Sequence, residues 1–435
     1  MRVAVIGAGI AGLGAAWALA RRHRVTLYEA GGRLGGHSNT VEVAVDGRAV
    51  PVDTGFIVYN ELNYPNLVQL FAALEVATEP SDMSFAVSIG GGALEYSGTS
   101  LAGLIAQKRN LVRPRFWRMV ADILRFYREA RALLAREASP DLTLGEFLAQ
   151  GRYSAGFLDD HLLPMGAAIW SSPLAAMLDF PMLSFARFFE NHGLLQLTER
   201  PRWRTVTGGS RRYVAKIAEA LGAEAIRPVA ATRLRRSSDG IELRDASGEA
   251  RLYDEVVLAC HADQALRLLD DADDTERRLL GAFRFQTNRA VLHRDRALMP
   301  RRRSVWASWN YLAPDPAAAR DGVVAVTYWM NQLQNLDPAL ELFVTLNPPH
   351  ELRGELVHGV FDYEHPIYDR AAIRAQADIA AIQGVRRTWF AGAWLGYGFH
   401  EDGLRAGLAV ARALGSPAPW QDTFPAAAPV AEAAE

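Results

Sequence analysis

The pattern of apolar and polar residues at the start of the chain predicts a strand, a turn, a helix and a second strand. Arg2–Ile6 is a short apolar run of the kind found in buried strands. Residues 7–12 read Gly-Ala-Gly-Ile-Ala-Gly, and residues 13–20 continue as an apolar helix. The second strand, Arg24–Tyr28, ends at Glu29, 20 residues after the second glycine of the turn. This succession indicates a Rossmann-like dinucleotide-binding unit.

The three glycines of the turn have separate physical roles. Gly7 allows the tight change of direction, Gly9 lets the backbone approach a pyrophosphate, and Gly12 lets helix and strand pack closely. The helix N-terminus then offers free N–H groups to the phosphates. Glu29 is placed to hold a ribose hydroxyl group.

The pattern farther along the chain predicts a larger region of mixed structure. Residues from about 60 to 200 are largely helical in pattern, and residues 225–259 alternate strongly and lead into a buried strand. Residues 40–52 alternate around a hairpin signal at residues 46 and 47. Residues 283–365 hold several strands rich in tryptophan and tyrosine, at 290–293, 305–311, 323–330 and 342–346. Residues 389–414 predict a strand, a loop and a final helix.

Composition narrows the class of protein. The chain has 435 residues, half of them hydrophobic, and a formal net charge of −2, so nothing indicates a nucleic-acid partner. Its one cysteine, Cys260, excludes an intramolecular disulfide. No apolar run reaches the roughly 18 residues that a membrane-spanning helix needs. We therefore expect a cytoplasmic protein, and no metal site is predicted.

A second glycine-rich segment follows Glu29, with Arg33, Gly35, Gly36 and His37 in succession around it. A second glycine pair lets the backbone pass close to the middle of a long, extended ligand. With the first turn, this segment resembles the FAD-binding flavoproteins of the amine-oxidase and phytoene-desaturase superfamily. The resemblance implies an α/β fold, in which a Rossmann-like FAD-binding domain of the GR2 type is interleaved with a mixed sheet-plus-helices substrate domain.

The resemblance also implies how FAD is held. In this superfamily an Asp-x-Gly turn, here residues 53–55, passes beside the isoalloxazine ring, and the residue at Val229 contacts adenine through its backbone. Departures occur at His37, where relatives often have arginine, and at Ala393, where they usually carry an acid. FAD is expected to be non-covalent, because Cys260 lies outside the C-terminal region where some relatives attach it. The implied cofactor-binding residues are Gly7, Gly9, Ile10, Ala11, Gly12, Glu29, Ala30, Arg33, Gly35, Gly36, His37, Thr54, Gly55, Phe56, Val229, Gly392, Ala393, Asp402, Gly403 and Leu404.

Further strings, at residues 165–173, 191–197 and 200–210, extend the resemblance to roughly residues 1–415. They are similar to a narrower bacterial group of NAD/FAD-binding oxidoreductases, which is often encoded beside cyclopropane-fatty-acid synthases and linked to oxidation of methylated fatty acyl chains. The implied function is FAD-dependent desaturation or dehydrogenation of a lipid-like substrate, such as a methylated or unsaturated fatty acyl chain, by hydride transfer to flavin N5. The electron acceptor stays open between O2, a quinone and another carrier.

Two alternative functions remain open. Flavin amine oxidases typically use a lysine near N5, whereas Lys108 and Lys216 both lie outside the predicted sheet region, and Phe399 stands where one tyrosine of the amine cage would sit. The other alternative is a non-redox flavin-dependent isomerase or a lipid-binding flavoprotein.

Candidate catalytic residues come from the loop before the last helix. His400 could accept a proton, and Tyr397 lies on the same loop. His365 is a further candidate with a weaker rationale. Residues expected to shape the substrate pocket are Trp170, Trp394 and Phe399.

The predicted domains are discontinuous. Residues 1–56, 205–282 and 385–415 would form the FAD-binding domain, residues 57–204 and 283–384 the substrate domain, and the Ala/Pro-rich residues 416–435 a disordered tail.

One basic segment of the substrate domain has two interpretations. Residues 101–138 are amphipathic, and their beginning carries a crowd of basic residues: Lys108, Arg109, Arg113, Arg115 and Arg118. Such a segment can lie on an anionic bilayer, here the inner membrane face, or form a core-facing helix with a solvated arginine face.

Overall fold

The computed structural model describes residues 1–45, 47–98, 100–136, 141–196, 201–315 and 324–421. The strands are β1 (Arg2–Ile6), β2 (Arg24–Tyr28), β3 (Thr40–Val45), β4 (Arg48–Asp53), β5 (Val58–Asn60), β6 (Thr78–Ser81), β7 (Phe85–Ile89), β8 (Leu94–Ser97), β9 (Trp203–Val206), β10 (Ile226–Arg227), β11 (Ala231–Ser237), β12 (Gly240–Asp245), β13 (Ala250–Tyr253), β14 (Glu255–Leu258), β15 (Arg284–His293), β16 (Trp309–Ala313), β17 (Ala325–Trp329), β18 (Phe343–Leu346), β19 (Val357–Ile367) and β20 (Thr388–Phe390). The helices are α1 (Ile10–Leu19), α2 (Pro65–Ala73), α3 (Leu101–Leu104), α4 (Pro114–Leu134), α5 (Leu144–Gln150), α6 (Ala155–Phe157), α7 (Leu163–Trp170), α8 (Leu174–Leu178), α9 (Met182–Asn191), α10 (Arg211–Leu221), α11 (Ala262–Leu268), α12 (Asp274–Leu280), α13 (Met330–Leu333), α14 (Arg370–Asp378) and α15 (His400–Ala413).

A five-stranded parallel sheet lies at the centre of the half of the molecule that contains the turn between β1 and α1. Its order is β10-β2-β1-β14-β20, and every pairing along it is parallel. Val3 and Val5 of β1 face one core and Ala4 and Ile6 the other, as the period of two in a strand requires. Because both faces are buried, these strands are nearly continuous apolar runs.

Two helices pack on one face of this sheet at very short range. A Cβ atom at Gly407 of α15 would lie 2.1 Å from the carbonyl oxygen of Ala11 in α1, and one at Gly14 would lie 2.4 Å from the side chain of Leu404. The first and last helices of the fold therefore touch almost backbone to backbone. The opposite face is covered by the antiparallel strands β11-β12-β13 together with α11 and α12.

A seven-stranded mixed sheet organises the second half. Its order is β19-β15-β18-β17-β16-β7-β8, and all its pairs are antiparallel except β16 with β7. The helices from α4 to α9 join this sheet in one aromatic core, which includes Phe126, Trp170 and Phe185. A separate three-stranded sheet has the order β5-β9-β6. In it, β9 brings residues 203–206 beside residues 58–60, far apart in the sequence.

These sheets confirm the predicted α/β fold with one parallel and one mixed sheet. The pattern missed β19, which pairs with β15 over its whole length from Val357 to Ile367. The expected strand from Val305 to Tyr311 is shorter, because residues 303–305 form a 3-10 turn and β16 begins only at Trp309. Parts of other predictions, at Asp46, residues 137–140, residues 197–200 and Val323, lie outside the described residues.

Residues 416–421, the first part of the predicted disordered tail, are packed on the fold. Trp420 stacks on Trp17 at 5.7 Å between ring centroids and donates its indole N–H to Asn66 at 3.1 Å. The hydroxyl of Ser416 donates to the carbonyl of Ala18 at 2.6 Å. Residues 416–421 are therefore packed on α1, and residues 422–435 lie outside the described residues.

Candidate functional site

The loop between β1 and α1 exposes its backbone to a large cavity. Gly7 has a φ of +102°, and a Cβ there would lie 2.7 Å from the carbonyl oxygen of Ala259, so only glycine fits. Gly9 precedes the first helical residue, and a Cβ there would meet no protein atom within 4 Å. A side chain at Gly9 would thus project into open space beside the helix N-terminus, where a phosphate can approach.

Glu29 lies at the end of β2, directly beside this loop. Its carboxylate accepts hydrogen bonds from the backbone N–H groups of Ala8 at 2.8 Å and Gly31 at 2.7 Å. A carboxylate has about four acceptor positions, so two hydrogen bonds leave room for hydroxyl donors. Glu29 also lines the cavity, which is compatible with its predicted contact to a ribose.

Two further backbone segments converge on the same loop. The N–H of Gly35 donates to the carbonyl of Ala8 at 2.8 Å, and a Cβ at Gly36 would lie 3.0 Å from the Cα of Gly9. A Cβ at Gly55 would lie 2.2 Å from the carbonyl oxygen of His37. We call the cavity surface formed by Gly7, Gly9, Gly36, Gly55 and Gly392 the glycine wall.

The cavity has a volume of about 1030 Å³. That volume is at the upper end of the range for small-molecule sites, roughly 300–1,000 Å³. The structure brings together on its wall the predicted residues Gly7, Gly9, Ile10, Ala11, Glu29, Ala30, Arg33, Gly36, His37, Thr54, Gly55, Phe56, Trp170, Gly392, Ala393, Trp394, Tyr397, Phe399 and His400.

The other predicted cofactor residues lie behind this wall. A Cβ at Gly12 would lie 1.8 Å from the carbonyl oxygen of Gly7, and one at Gly403 would lie 2.9 Å from Ile10, so both glycines serve close packing. Asp402 is turned into its own loop, where it accepts from the N–H groups of Tyr397 at 3.0 Å and Phe399 at 3.1 Å. The remaining three of this group, which are also off the cavity wall, are Gly35, Val229 and Leu404.

His400 lines the cavity and is held by several partners. Its ring stacks on Phe56 at 3.7 Å, and its Nε2 is hydrogen-bonded to the hydroxyls of Tyr213 at 2.8 Å and Ser38 at 3.0 Å. Burial lowers the pKa of His400 to about 3. The neutral imidazole ties α15 to α10, and a catalytic role of His400 stays a prediction.

The other residues predicted for the substrate end take different positions. Phe399 stacks on Phe188 at 4.9 Å, and Phe188 contacts Trp170 at 4.7 Å, so these three rings form one continuous aromatic surface. Trp394 lies on the nucleotide side instead, because its indole N–H donates to the carbonyl of Cys260 at 3.1 Å. Burial raises the pKa of Tyr397, which keeps its hydroxyl protonated.

Sequence reasoning missed the contribution of β19 to the site. The hydroxyl of Tyr363 is hydrogen-bonded to Thr54 at 2.7 Å and to the amide of Asn39 at 2.9 Å. His365 contacts Asn288 at 2.9 Å through Nδ1, and burial lowers the pKa of His365 to about 4. The alternation of apolar and polar residues from Phe361 to Glu364 is the signal that could have revealed this strand.

A family model for flavin-containing amine oxidoreductases matches residues 10–293 of the chain. The chain belongs to this family. Its members depend on FAD, and the chain is an FAD-dependent oxidoreductase. A comparison with curated proteins finds no significant match.

Solved structures of the same flavoprotein fold are similar over almost their whole length. A CLA-producing fatty acid isomerase from P. acnes has 18% sequence identity and a TM-score of 0.66, over 94% of this chain and 98% of that chain. Cyclohexylamine oxidase from Brevibacterium oxydans IH-35A has 17% identity and a TM-score of 0.67, over 95% and 99%. A putrescine oxidase bound to putrescine has 15% identity and a TM-score of 0.68, over 95% and 99%. At these identities the likeness establishes the fold of this flavoprotein.

The residues of the glycine wall fit the cofactor of the family. The open space at Gly9, in front of the N-terminus of α1, would accommodate a pyrophosphate. Glu29 could hold the ribose, and residues of the segment 392–400 line the cavity before the N-terminus of α15. Bound here, FAD supplies an acceptor for a hydride, while the protein positions both reactants.

Proposed function

We propose that this flavoprotein is a desaturase or dehydrogenase of a lipid-like acyl substrate. The observation that carries the proposal is the side of the cavity away from the glycine wall. It is formed by uncharged, mostly aromatic and aliphatic side chains, and we call it the apolar wall: Met83, Ile169, Trp170, Trp203, Trp309, Tyr328, Leu346 and Phe399.

Charged groups of the cavity lie elsewhere. Glu29 and Arg33 belong to the nucleotide end, and Asp362 and Glu364 are exposed at the rim, where Glu364 contacts His261 at 3.1 Å. A protonated amine placed against the apolar wall would have no carboxylate partner there. Because burying an unpaired charge is strongly unfavourable, an uncharged hydrocarbon chain suits this wall better.

The two lysines of the chain also argue against amine oxidation. Lys108 lies in a 3-10 turn before α4, and Lys216 lies on α10. Neither residue lines the cavity, so neither can act beside the reacting centre of a substrate held there.

Two indole groups can orient a bound lipid. The N–H groups of Trp170 and Trp309 are buried, and neither has an acceptor within the parts of the chain that the structure describes. An ester or hydroxyl oxygen of a substrate would satisfy such a donor. The fatty acid isomerase with this fold supports the view that the architecture accommodates an acyl chain.

The proposed reaction removes two hydrogens from neighbouring carbons of the substrate, one as a hydride and one as a proton. Bound FAD would accept the hydride while a carbon–carbon double bond forms, and the proton would leave toward the exposed carboxylates at the rim, Asp362 and Glu364, and from there to solvent. Two electrons then pass to an acceptor such as O2 or a quinone. The apolar wall holds the chain and excludes water during this step.

The first experiment is an absorbance spectrum of the purified protein, with mass spectrometry of its extracted ligands. A flavin spectrum and a co-purified acyl lipid are expected. Anaerobic titration then compares phospholipids carrying unsaturated or methylated acyl chains with primary amines. Bleaching of the flavin by lipid supports the proposal, whereas bleaching by amine alone, or conversion of lipid without bleaching or added acceptor, would replace it with an amine oxidase or an isomerase.

A matched pair of variants connects this activity to the apolar wall. Trp309→Ala should raise the lipid concentration needed for half-maximal bleaching by about tenfold or more, equivalent to about 1.4 kcal/mol. Trp306→Ala removes an indole from the same sheet region, but Trp306 does not line the cavity and donates to Pro300 at 2.7 Å. Equal effects of both variants would contradict a specific role of the wall.

FAD is proposed to bind without a covalent bond. Cys260 follows β14 at the nucleotide end of the cavity, next to Gly7, and burial raises the pKa of its thiol to about 12. The thiol therefore stays protonated, and a thiolate is the nucleophilic form. Acid denaturation followed by filtration should release all the flavin; flavin retained on the protein would overturn this proposal.

A further inference from the structure

The beginning of α4 and the turn before it expose an unusual amount of apolar surface. Leu111, Val112, Trp117 and Leu124 have 43%, 82%, 46% and 49% of their surface exposed. Large exposed hydrophobic side chains elsewhere in the described chain, such as Leu62, Leu252 and Val360, occur singly in sequence. Isolated ones need no explanation, but a group of four within 14 residues does.

The orientation of α4 makes this surface a fixed feature. Phe116, Met119, Phe126 and Ala130 bury the inner face of the helix in the aromatic core. Trp117, Ala121, Leu124 and Arg128 are all exposed and follow the i, i+4, i+7, i+11 spacing of the outer face. The indole of Trp117 is held by a hydrogen bond from its N–H to the carbonyl of Leu111 at 2.8 Å, so its ring is presented in one orientation.

The basic side chains around this surface are largely without acidic partners. Among the described residues, Lys108, Arg118, Arg128 and Arg301 form no ion pair. Arg109 and Arg113 donate to carbonyl oxygens of residues 92 and 93, which leaves their positive charge uncompensated.

The two acidic side chains of the same helix, Asp122 and Glu129, are partly buried and already have partners. Asp122 pairs with Arg125 at 2.9 Å and accepts from the N–H of Ser154, and Glu129 accepts from the hydroxyl of Tyr153 at 2.6 Å. The outer face is therefore apolar at its centre and positive around it. We call it the docking face, formed by Lys108, Leu111, Val112, Trp117, Arg118, Leu124 and Arg128.

We propose that the docking face binds the surface of an anionic phospholipid bilayer. Apolar side chains enter the boundary between headgroups and acyl chains, tryptophan is favoured at that depth, and lysine and arginine bind anionic headgroups. No helix within the described residues is long and apolar enough to cross a membrane, so the contact is peripheral. This inference goes beyond lipid oxidation, and its test does not depend on catalysis.

The test is flotation of the full-length, FAD-loaded protein with vesicles of phosphatidylcholine, with or without phosphatidylglycerol. The protein should float with the anionic vesicles, and binding should weaken as NaCl is raised because salt screens the charges. Val112→Asp with Leu124→Asp should lower the bound fraction at least tenfold, as should Lys108→Glu with Arg118→Glu. Val112 and Leu124 make no side-chain hydrogen bond, so their replacement leaves the fold and flavin content intact.

A matched control places the same charges on another exposed apolar pair. Leu252→Asp with Val360→Asp should float like the unaltered protein. The proposal is overturned if the unaltered protein ignores anionic vesicles, or if both aspartate pairs weaken flotation equally. Light scattering provides the remaining check: self-association that is abolished by Val112→Asp with Leu124→Asp would make the docking face an interface between copies of the chain.

Discussion

The two walls of the cavity are built by different physical means. The glycine wall is made of backbone, brought so close together that a Cβ at Gly7 or Gly55 would collide with a carbonyl oxygen at 2.7 or 2.2 Å. The apolar wall is made of side chains from several strands and helices, including Trp170, Trp309 and Tyr328. A backbone surface can recognise phosphate in the same way in every member of a family, whereas a side-chain surface can change with each substrate.

This difference explains why the cavity specifies its cofactor more narrowly than its substrate. Gly7 is constrained both by its φ and by a backbone contact, and Gly55 by a backbone contact, whereas Gly9 faces open space. No such constraint identifies the occupant of the second wall, whose rings pack equally well as an ordinary core. Substitutions at the contact between the two walls, and then in each wall by itself, test this difference.

The largest expected loss of stability is at Asp53, where the half that carries the parallel sheet contacts the half that carries the mixed sheet. Asp53, buried at the end of β4, accepts from the hydroxyls of Thr40 at 2.6 Å and Ser210 at 2.7 Å and from the amide of Gln334 at 3.0 Å. Asp53→Ala leaves these buried donors without an acceptor and should lower the free energy of unfolding by about 3–4 kcal/mol. Urea unfolding measures this, with Asp53→Asn as the isosteric control.

A loss of less than about 1 kcal/mol in Asp53→Ala would contradict the view that this carboxylate joins the two halves. Burial raises the pKa of Asp53 to about 6 in spite of its hydrogen bonds. The comparison of the two variants is therefore best made at pH 7 or above, where the carboxylate is ionised.

The second largest effect is a loss of FAD affinity on substitution of Gly9, which should weaken cofactor binding without weakening the fold. Gly9→Val places a side chain in the open space where the pyrophosphate is expected, with no protein atom to collide with. FAD affinity should fall on the order of 100-fold, about 2.7 kcal/mol, at nearly unchanged stability. Gly354→Val is the control, because a Cβ there also meets nothing within 4 Å but lies outside the cavity. Fluorescence titration of the apoprotein with FAD measures both.

Much of the glycine wall was predictable because its signals are local. The residues from Arg2 to Gly12 specify a strand, a turn and a helix within a dozen positions, and Glu29 follows at a fixed distance. Family resemblance supplied Gly36, Gly55 and Gly392, which the fold brings to the same cavity. Backbone recognition depends on few residues at short spacing, so sequence carries it well.

The remaining site depends on contacts that are distant in sequence. The pKa of His400 is low because its imidazole is buried, and the ring packs on Phe56 and is hydrogen-bonded to Ser38, 362 positions away. The loop position alone therefore suggested a base where the structure has a packed, neutral imidazole. The partners of Asp402 and Trp394 are likewise visible only in three dimensions, since the carboxylate accepts from its own loop and the indole donates to Cys260.

A smaller effect concerns pH and two neighbouring residues at the start of α15. Burial lowers the pKa of His400 from 6.5 to about 3, so the unfolded chain binds more protons in that window and stability is lost as pH falls. Burial raises the pKa of Glu401 from 4.5 to about 7, so the folded state binds more protons there and stability is lost as pH rises. Each contributes up to about 1.4 kcal/mol per pH unit.

The variants should therefore change the pH dependence of stability in opposite directions. Between pH 4.5 and 6.5, His400→Gln should remove a contribution that rises with pH, and Glu401→Gln one that falls with pH. Unfolding by urea at several pH values gives the two slopes. Parallel curves for both variants and the unaltered protein would mean that neither group titrates as its burial implies.

The smallest effect is expected where β19 meets the glycine wall. Tyr363→Phe removes a hydroxyl that is bonded to Thr54 and Asn39, and these two residues retain a hydrogen bond to each other at 2.9 Å. Because that pair remains, stability should fall by only about 1 kcal/mol, yet Thr54 lies on the cavity wall and its orientation should loosen. The expected result is a change in the flavin absorbance spectrum with little loss of FAD affinity. An unchanged spectrum would restrict β19 to a structural role and leave the glycine wall independent of the substrate half.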